Sequence, residues 1–323
     1  MDREEALRDY QKSVEGAVSD FRGSLGAYLT DHAAYMEELV RTGMGLLGEQ
    51  MKRQGKEYVC YLYFSLLRAD LLEHRYRFYL HGLDMRWYLD DEPAEVYVDA
   101  PELFVPIEKL LDALEGSDKG YGGAINRYDI WNMVFDELPL FNSIICHILR
   151  YCLRDWEEKG IFDNVVRSSY WLVKWGEYRD QSEFLLQTDR VEKPETAWKE
   201  ELLKAAHKPE HMVFGYWYKA TCSGKNPKDL DMRFITFDEC IIKDMAFENC
   251  HMEGSRFPDS KITGCSFAGC NLDGADFRRC SFEKTSFAGA VLTGAIFPAQ
   301  SVPFLDIDAQ QLQAIYLDRG NEE

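Results

Sequence analysis

Cys146, His147 and Cys152 form a close cysteine–histidine group in this 323-residue chain. Thiol and imidazole together could hold a soft metal or run redox chemistry. Positions 146 and 152 do not share a helix face, however, so the group reads as buried and structural. His74 and His81 flank a predicted strand among aromatic residues, where an ordinary hairpin explains them as well as a ligand site does. Asp90, Asp91 and Glu92 follow that strand as an acidic run, which reads as a solvated turn. The sequence holds no phosphate loop, zinc motif, nucleophile elbow or dinucleotide fingerprint. No catalytic, cofactor-binding or metal-binding residue is therefore assigned, and no cofactor is expected.

The elements that would carry these residues are mostly helical. Residues 3–53 predict helix, with Leu7, Tyr10, Val14, Val18, Phe21, Leu25 and Leu29 on one stripe. Thr30 and Asp31 look like the cap of a second helix that Gly55 ends. Residues 57–73 predict a buried helix. Tyr76, Phe78 and Leu80 alternate, then Met85, Trp87 and Leu89, predicting a hairpin about a turn at 81–84. Helices are predicted near 103–115, 126–136, 138–158 and 196–206, while 165–188 fits strand or helix. All seven tryptophans lie before residue 218. Residues 1–210 are accordingly expected to form a mainly α-helical domain with its own core, of no recognised family, with 211–229 as connector.

From Leu230 to Ala299 the chain counts in fives. Met232, Phe237, Ile242, Phe247, Met252, Phe257, Ile262, Phe267, Leu272, Phe277, Phe282, Phe287, Leu292 and Phe297 recur without a slip. Two residues before each stands a mostly small one, such as Cys240, Ser255, Cys265 or Ala275. Five fits neither the helix period nor the strand period, but it fits a chain that turns a corner every five residues. Taken at intervals of twenty, like falls on like: Phe237, Phe257, Phe277, Phe297 in one column and Phe247, Phe267, Phe287 in another, with Phe282 ending a third. Four sides of five make one coil, and stacked coils turn these residues into packed columns. Cys250 and Cys270 then stack one coil apart, where a disulfide is conceivable by distance, though reduced thiols are expected. Glu253 and Asp273 stack above Asp231 as surface charge.

CNLDG (270–274), ADFRR (275–279), CSFAG (265–269) and AVLTG (290–294) resemble the pentapeptide-repeat family. The resemblance covers residues 230–299 and implies a right-handed quadrilateral β-helix of about 3.5 coils. Leu230 and Ile235 stand where the family has a small residue, so a distorted first coil is expected. The fold expected overall is multidomain α + β: a mainly helical domain, the pentapeptide-repeat solenoid, then residues 300–323 as a cap with a short helix at 309–317.

Net charge is −19 with 56 acidic against 37 basic residues, a balance that repels nucleic acid and anionic membranes. No apolar run spans a bilayer, the charged start MDREEALRDY is no secretion signal, and nine unpaired-looking cysteines fit a reducing cytoplasm. A rigid β-helix without a cleft suits a non-enzymatic interaction protein. Its expected contact side is built from Ala246, Glu248, Asn249, Ser266, Ala268, Gly269, Ser286, Ala288 and Gly289, only one of which is charged. The partner is expected to be protein, with a homodimer through the C-terminal end compatible with the family. Some members of that family mimic DNA on gyrase and protect it from quinolones. Residues 230–299 carry ten acids and seven bases, whereas duplex DNA carries roughly ten charges over a comparable length of about 17 Å. Mimicry therefore ranks second, and an enzyme hidden in the helical domain third.

Overall fold

A computed structural model describes residues 2–320, and the chain divides into two compact units, one ending at Leu186 and one starting at Gln187. The division falls well before residue 210, because the last helix of the expected N-terminal domain packs with the repeats.

The first unit opens with α1 (Arg3–Asp31), whose N-terminus is closed by an Asp2–Glu5 capping box. Its buried stripe is Ala6, Tyr10, Val14, Phe21, Leu25 and Leu29. Helix α2 (Ala33–Gln54) follows at once, so His32, not Thr30 or Asp31, stands between them. Residues 57–73 correct the helical expectation: they form strand β1 (Val59–Leu66) and the short helix α3 (Arg68–Leu72). A continuous apolar run cannot be assigned by periodicity, and this strand is buried on both faces. Strand β2 (Arg77–Leu83) runs through the supposed turn and pairs antiparallel with β3 (Ala94–Asp99), not with residues 85–89. Next come α4 (Pro101–Ser117) and α5 (Arg127–Glu158), the latter one continuous helix with Pro139 inside it. The ambiguous stretch resolves as β4 (Arg167–Glu177) and β5 (Ser182–Asp189). The five strands make one mixed sheet in the order β3-β2-β1-β4-β5. Leu62, Phe64, Phe78, Leu80, Val98, Val173 and Trp175 share a single core with the four long helices. The first unit is thus α + β rather than mainly α.

The other sheet face carries an aromatic layer. The His81 ring lies nearly parallel between Tyr63 (centroids 4.8 Å apart) and Tyr79 (5.0 Å), with Tyr178 edge-on at 5.7 Å. His81 is buried and its Nδ1 has no hydrogen-bond partner. Burial, with Arg179 nearby, pushes its pKa down to about 4. In the unfolded chain the ring titrates near 6.5. Its contribution to stability is therefore complete above about pH 6.5 and falls as pH drops toward 4. Between pH 7 and pH 5, urea unfolding of the wild type should lose about 2 kcal/mol more than that of His81→Phe. Parallel pH profiles for the two proteins would show that the ring is not held neutral.

In the acidic run beside this layer Asp91 and Glu92 are exposed, as a solvated turn has them, but Asp90 corrects that reading. Asp90 is buried, and Lys56 Nζ donates to its Oδ2 at 2.6 Å and to the Glu92 carbonyl at 2.9 Å. Asp90 also accepts from the backbone N–H groups of Asp84 (2.8 Å) and Glu92 (3.1 Å). One buried carboxylate thus ties both ends of loop 84–92. Trp87, at its tip, holds a left-handed backbone (φ +56°) and donates from Nε1 to the Tyr63 hydroxyl at 2.7 Å.

The second unit begins with α6 (Ala197–Ala205), which sets Trp198 edge-on against Trp217 and Phe237 at the head of a phenylalanine column. The coils start before residue 230. Strand β6 (Tyr216–Tyr218) pairs parallel with β8 (Thr236–Asp238), and β7 (Thr221–Ser223) pairs with β9 (Ile241–Lys243). Strands β10 (Lys261–Thr263) and β11 (Ser281–Glu283) extend the second stack, and β12 (Ile296–Pro298) lies below β8 through bridges at Arg256 and Asp276. Bridges at 228/248 and 246/266/286 make a third side, and 231/251/271/291 a fourth. Every pairing spans twenty residues. The register is unbroken at Leu230 and Ile235, both buried, so the expected distortion of the first coil is not found.

Two devices keep the coils closed. Corners at 214, 219, 224, 229, 234, 239, 244, 249, 254, 259, 264, 269, 274, 284, 289 and 294 hold left-handed backbone, which is why glycine favours the last place of the five. The inward small residues satisfy buried carbonyls. The thiols of Cys240, Cys265, Cys270 and Cys280 donate to Trp217, Ile242, Phe247 and Phe257 oxygens, and Ser260 and Thr285 hydroxyls do the same to Phe237 and Ile262. Cysteine at this place is therefore a small residue with a useful hydrogen.

The tail continues the ladders. Helix α7 (Ala309–Ala314), opened by an Asp308–Gln311 capping box, precedes β13 (Tyr316–Asp318), which pairs parallel with β12. Gln311 Nε2 donates to the carbonyls of Phe287 (2.9 Å) and Ala290 (2.8 Å), ending two open columns.

Candidate interaction face

The third side of the solenoid is held by its own backbone. Phe247 N donates to Ser266 O at 2.7 Å and Phe267 N to Ser286 O at 2.9 Å, stacking the three fives in register. Phe247, Phe267 and Phe287 point inward, fully buried, their rings parallel with centroids 4.8 and 5.1 Å apart. Phe237, Phe257, Phe277 and Phe297 are equally buried, whereas Phe282 is only partly buried. The outward residues differ in exposure. Ala246, Ser266 and Ser286 are half-buried, and Glu248, Asn249, Ala268, Gly269, Ala288 and Gly289 are exposed. Ser266 and Ser286 turn their hydroxyls onto the backbone N–H of Ala268 and Ala288, which leaves few polar groups pointing out.

The ends of this side were missed in the sequence. Asn226 Oδ1 accepts from Ala246 N at 2.9 Å, Lys228 Nζ pairs with Glu248 at 3.3 Å, and Asn249 Nδ2 donates to Asp229 at 3.4 Å. At the other end the Asp306 carboxylate accepts from the Ser286 hydroxyl and from Phe287 N. Each lies twenty residues from its partner or nearly so, and extending the count of twenty beyond 230–299 finds them. The face is therefore a smooth strip of small residues between charged ends.

Its corner at 269 is tightly built. Gly269 has φ +71°, and a Cβ there would stand 2.4 Å from Asn249 Oδ1. Gly269→Ala should cost at least about 1 kcal/mol, whereas Lys284→Gly, relieving a left-handed lysine (φ +49°), should raise the melting temperature. Thermal melts of both variants moving the same way would contradict the corner geometry.

The other residues singled out in the sequence do not converge. Cys146 is buried, with its thiol pushed up to about 12 by burial, and Cys152 is raised for the same reason. His147 packs on Tyr151. His74 Nδ1 lies 3.3 Å from the Tyr76 hydroxyl. Asp231 pairs with Arg233, and Glu253 accepts from Asn271 at 2.7 Å. Among the described residues no cluster could hold a metal ion, and no helix is long and apolar enough to cross a membrane.

Residues 230–302 match the family profile described as pentapeptide repeat region. This part of the chain is a pentapeptide-repeat segment. Solved structures similar to it are pentapeptide-repeat proteins too. One, from the Arabidopsis thaliana thylakoid lumen, is 23% identical over 27% of this chain and 52% of its own, with a TM-score of 0.18. Another, from Nostoc PCC 7120, is 12% identical over 41% of this chain and all of its own, with a TM-score of 0.22. QnrB1, a plasmid-mediated fluoroquinolone resistance protein, is 16% identical over 32% of this chain and 65% of its own, with a TM-score of 0.16. The chain spans about half the length of the thylakoid protein. No curated protein sequence matches the chain.

Proposed function

We propose that the pentapeptide-repeat segment is a right-handed quadrilateral β-helix that serves as a non-enzymatic protein-binding scaffold in the cytoplasm. The contact is made through the side bearing Ala246, Ser266, Ala268, Ser286 and Ala288. The observation that carries this reading is the chemistry of that strip. It is held by stacked coils, bears a single charged residue in Glu248, and offers small side chains over which a partner's backbone can come close. Gyrase mimicry remains the alternative, and the charge of the repeats weighs against it. A homodimer through the C-terminal end is the further partner considered, since Tyr316 and Leu317 are exposed there. An enzyme in the first unit ranks third.

The test uses cross-linking in the native cell, followed by mass spectrometry, with the double variant Ala268→Arg, Ala288→Arg. Cross-links that map to this side and disappear in the variant support the reading. A partner held equally well by the variant would overturn it. Inhibition of supercoiling by purified gyrase at stoichiometric protein would instead favour mimicry, and a doubled mass by light scattering would establish the dimer.

A further inference from the structure

Cys250 and Cys270 differ from the other seven cysteines. Each follows a corner of the candidate face, at Asn249 and Gly269, and each occupies the inward small place of its five. Asn271 N donates to Cys250 O at 3.0 Å, which fixes the two residues in register one coil apart. The strand spacing of about 4.8 Å falls within the Cα separations that a disulfide spans. Among all nine positions this is the only pair of cysteines twenty residues apart. Both are buried, the Cys250 thiol 3.5 Å from the Glu248 carbonyl and the Cys270 thiol 3.3 Å from that of Phe247. Beside one another the two thiols are driven apart, Cys250 held below its ordinary value and Cys270 above it. Burial raises the remaining cysteines instead.

We propose that Cys250 and Cys270 are a peroxide-oxidisable pair that closes to a disulfide between adjacent coils at the edge of the candidate face. Hydrogen peroxide, small and uncharged, is the oxidant class that fits a buried site. The Cys250 thiolate attacks one peroxide oxygen, the O–O bond breaks, and hydroxide leaves with a proton to become water. Cys250 is then a sulfenic acid. The Cys270 sulfur attacks it, the S–O bond breaks, the S–S bond forms, and the Cys270 proton leaves with the hydroxyl as a second water. Two thiols lose two electrons and one peroxide gains them. The small place tolerates replacement, since Ser255, Ser260 and Ala290 occupy it in other coils.

The experiment treats the folded full-length protein with millimolar hydrogen peroxide and measures intact mass and non-reduced peptides. The expected result is a loss of about 2 mass units, reversed by dithiothreitol, with the peptides of Cys250 and Cys270 joined. Cys250→Ala should abolish the loss, and its circular dichroism should show that it is folded. A bulky aromatic disulfide reagent should leave the native pair untouched. Addition of oxygen without cross-linking, a cross-link between other cysteines, or an unchanged mass would each overturn the proposal. Partner binding plays no part in this readout, so its outcome is independent of the scaffold reading.

Discussion

Replacing Phe267 by alanine should cost about 3–5 kcal/mol, among the largest losses available to a single substitution here. The ring is fully buried, with Phe247 stacked at 4.8 Å on one side and Phe287 at 5.1 Å on the other. It also meets Phe257 and Phe277 edge-on, both at 6.3 Å. Truncation removes stacking to two neighbours and edge contacts to two more. The coils cannot collapse into the space, because their spacing is set by backbone hydrogen bonds above and below. Phe282→Ala is the built-in comparison, since that ring is only partly buried and should cost clearly less. Urea unfolding of both variants checks this. A Phe267→Ala midpoint within error of the wild type would mean that the column does not hold the solenoid together.

A loss of similar size is expected in the other unit. Lys56→Met should cost about 3–5 kcal/mol, because it strands a buried carboxylate. The Lys56 side chain is 8% exposed and that of Asp90 is fully covered. Arg86 also reaches Asp90 Oδ1, but at 3.4 Å, with its closer contacts going to Asp84 and Asp91, so Lys56 is the nearer counterion. The double variant Lys56→Met, Asp90→Asn should recover part of the loss by removing the charge. Trp87 and its bond to Tyr63 depend on the same loop, so tryptophan fluorescence should shift with the single variant. A single variant as stable as the wild type would place the ion pair in water.

The four columns were legible in the sequence because each inward place demands a large apolar residue at a fixed interval. Residues 212–229 were not, because Trp217, Cys222 and Pro227 break the run of Phe, Leu, Ile and Met in the inward places, although Gly215 and Ala220 keep the small companion. In the first unit β1 read as helix, since Val59–Leu66 is apolar on the core face and aromatic on the other, leaving no alternation to detect. Strand β3 escaped notice because Glu95 and Asp99 dilute it and its partner β2 lies across a loop. Asp90 looked like surface because its counterion is 34 residues earlier in sequence. The nine residues of the candidate face could be placed on one side by counting alone. Their charged ends at Lys228, Asp229 and Asp306 were missed because the count of fives was stopped at 230 and 299, although the interval of twenty runs on past both.

The invariant step of twenty makes the solenoid indexable. Each coil touches only the coils above and below, so removing residues 250–269 would join two equivalent corners, Asn249 and Cys270 taking up the junction that Asn249 and Cys250 make now. The rod would shorten by one step and every later side chain would keep its compass bearing. Removing a single five from the same place would turn everything downstream by a quarter revolution, carrying Ser286 and Ala288 onto a neighbouring side while leaving each five intact. Length and azimuth are thus separately adjustable in such a chain. Natural insertions that preserve a binding strip must come in whole turns, and those that come in fives relocate it.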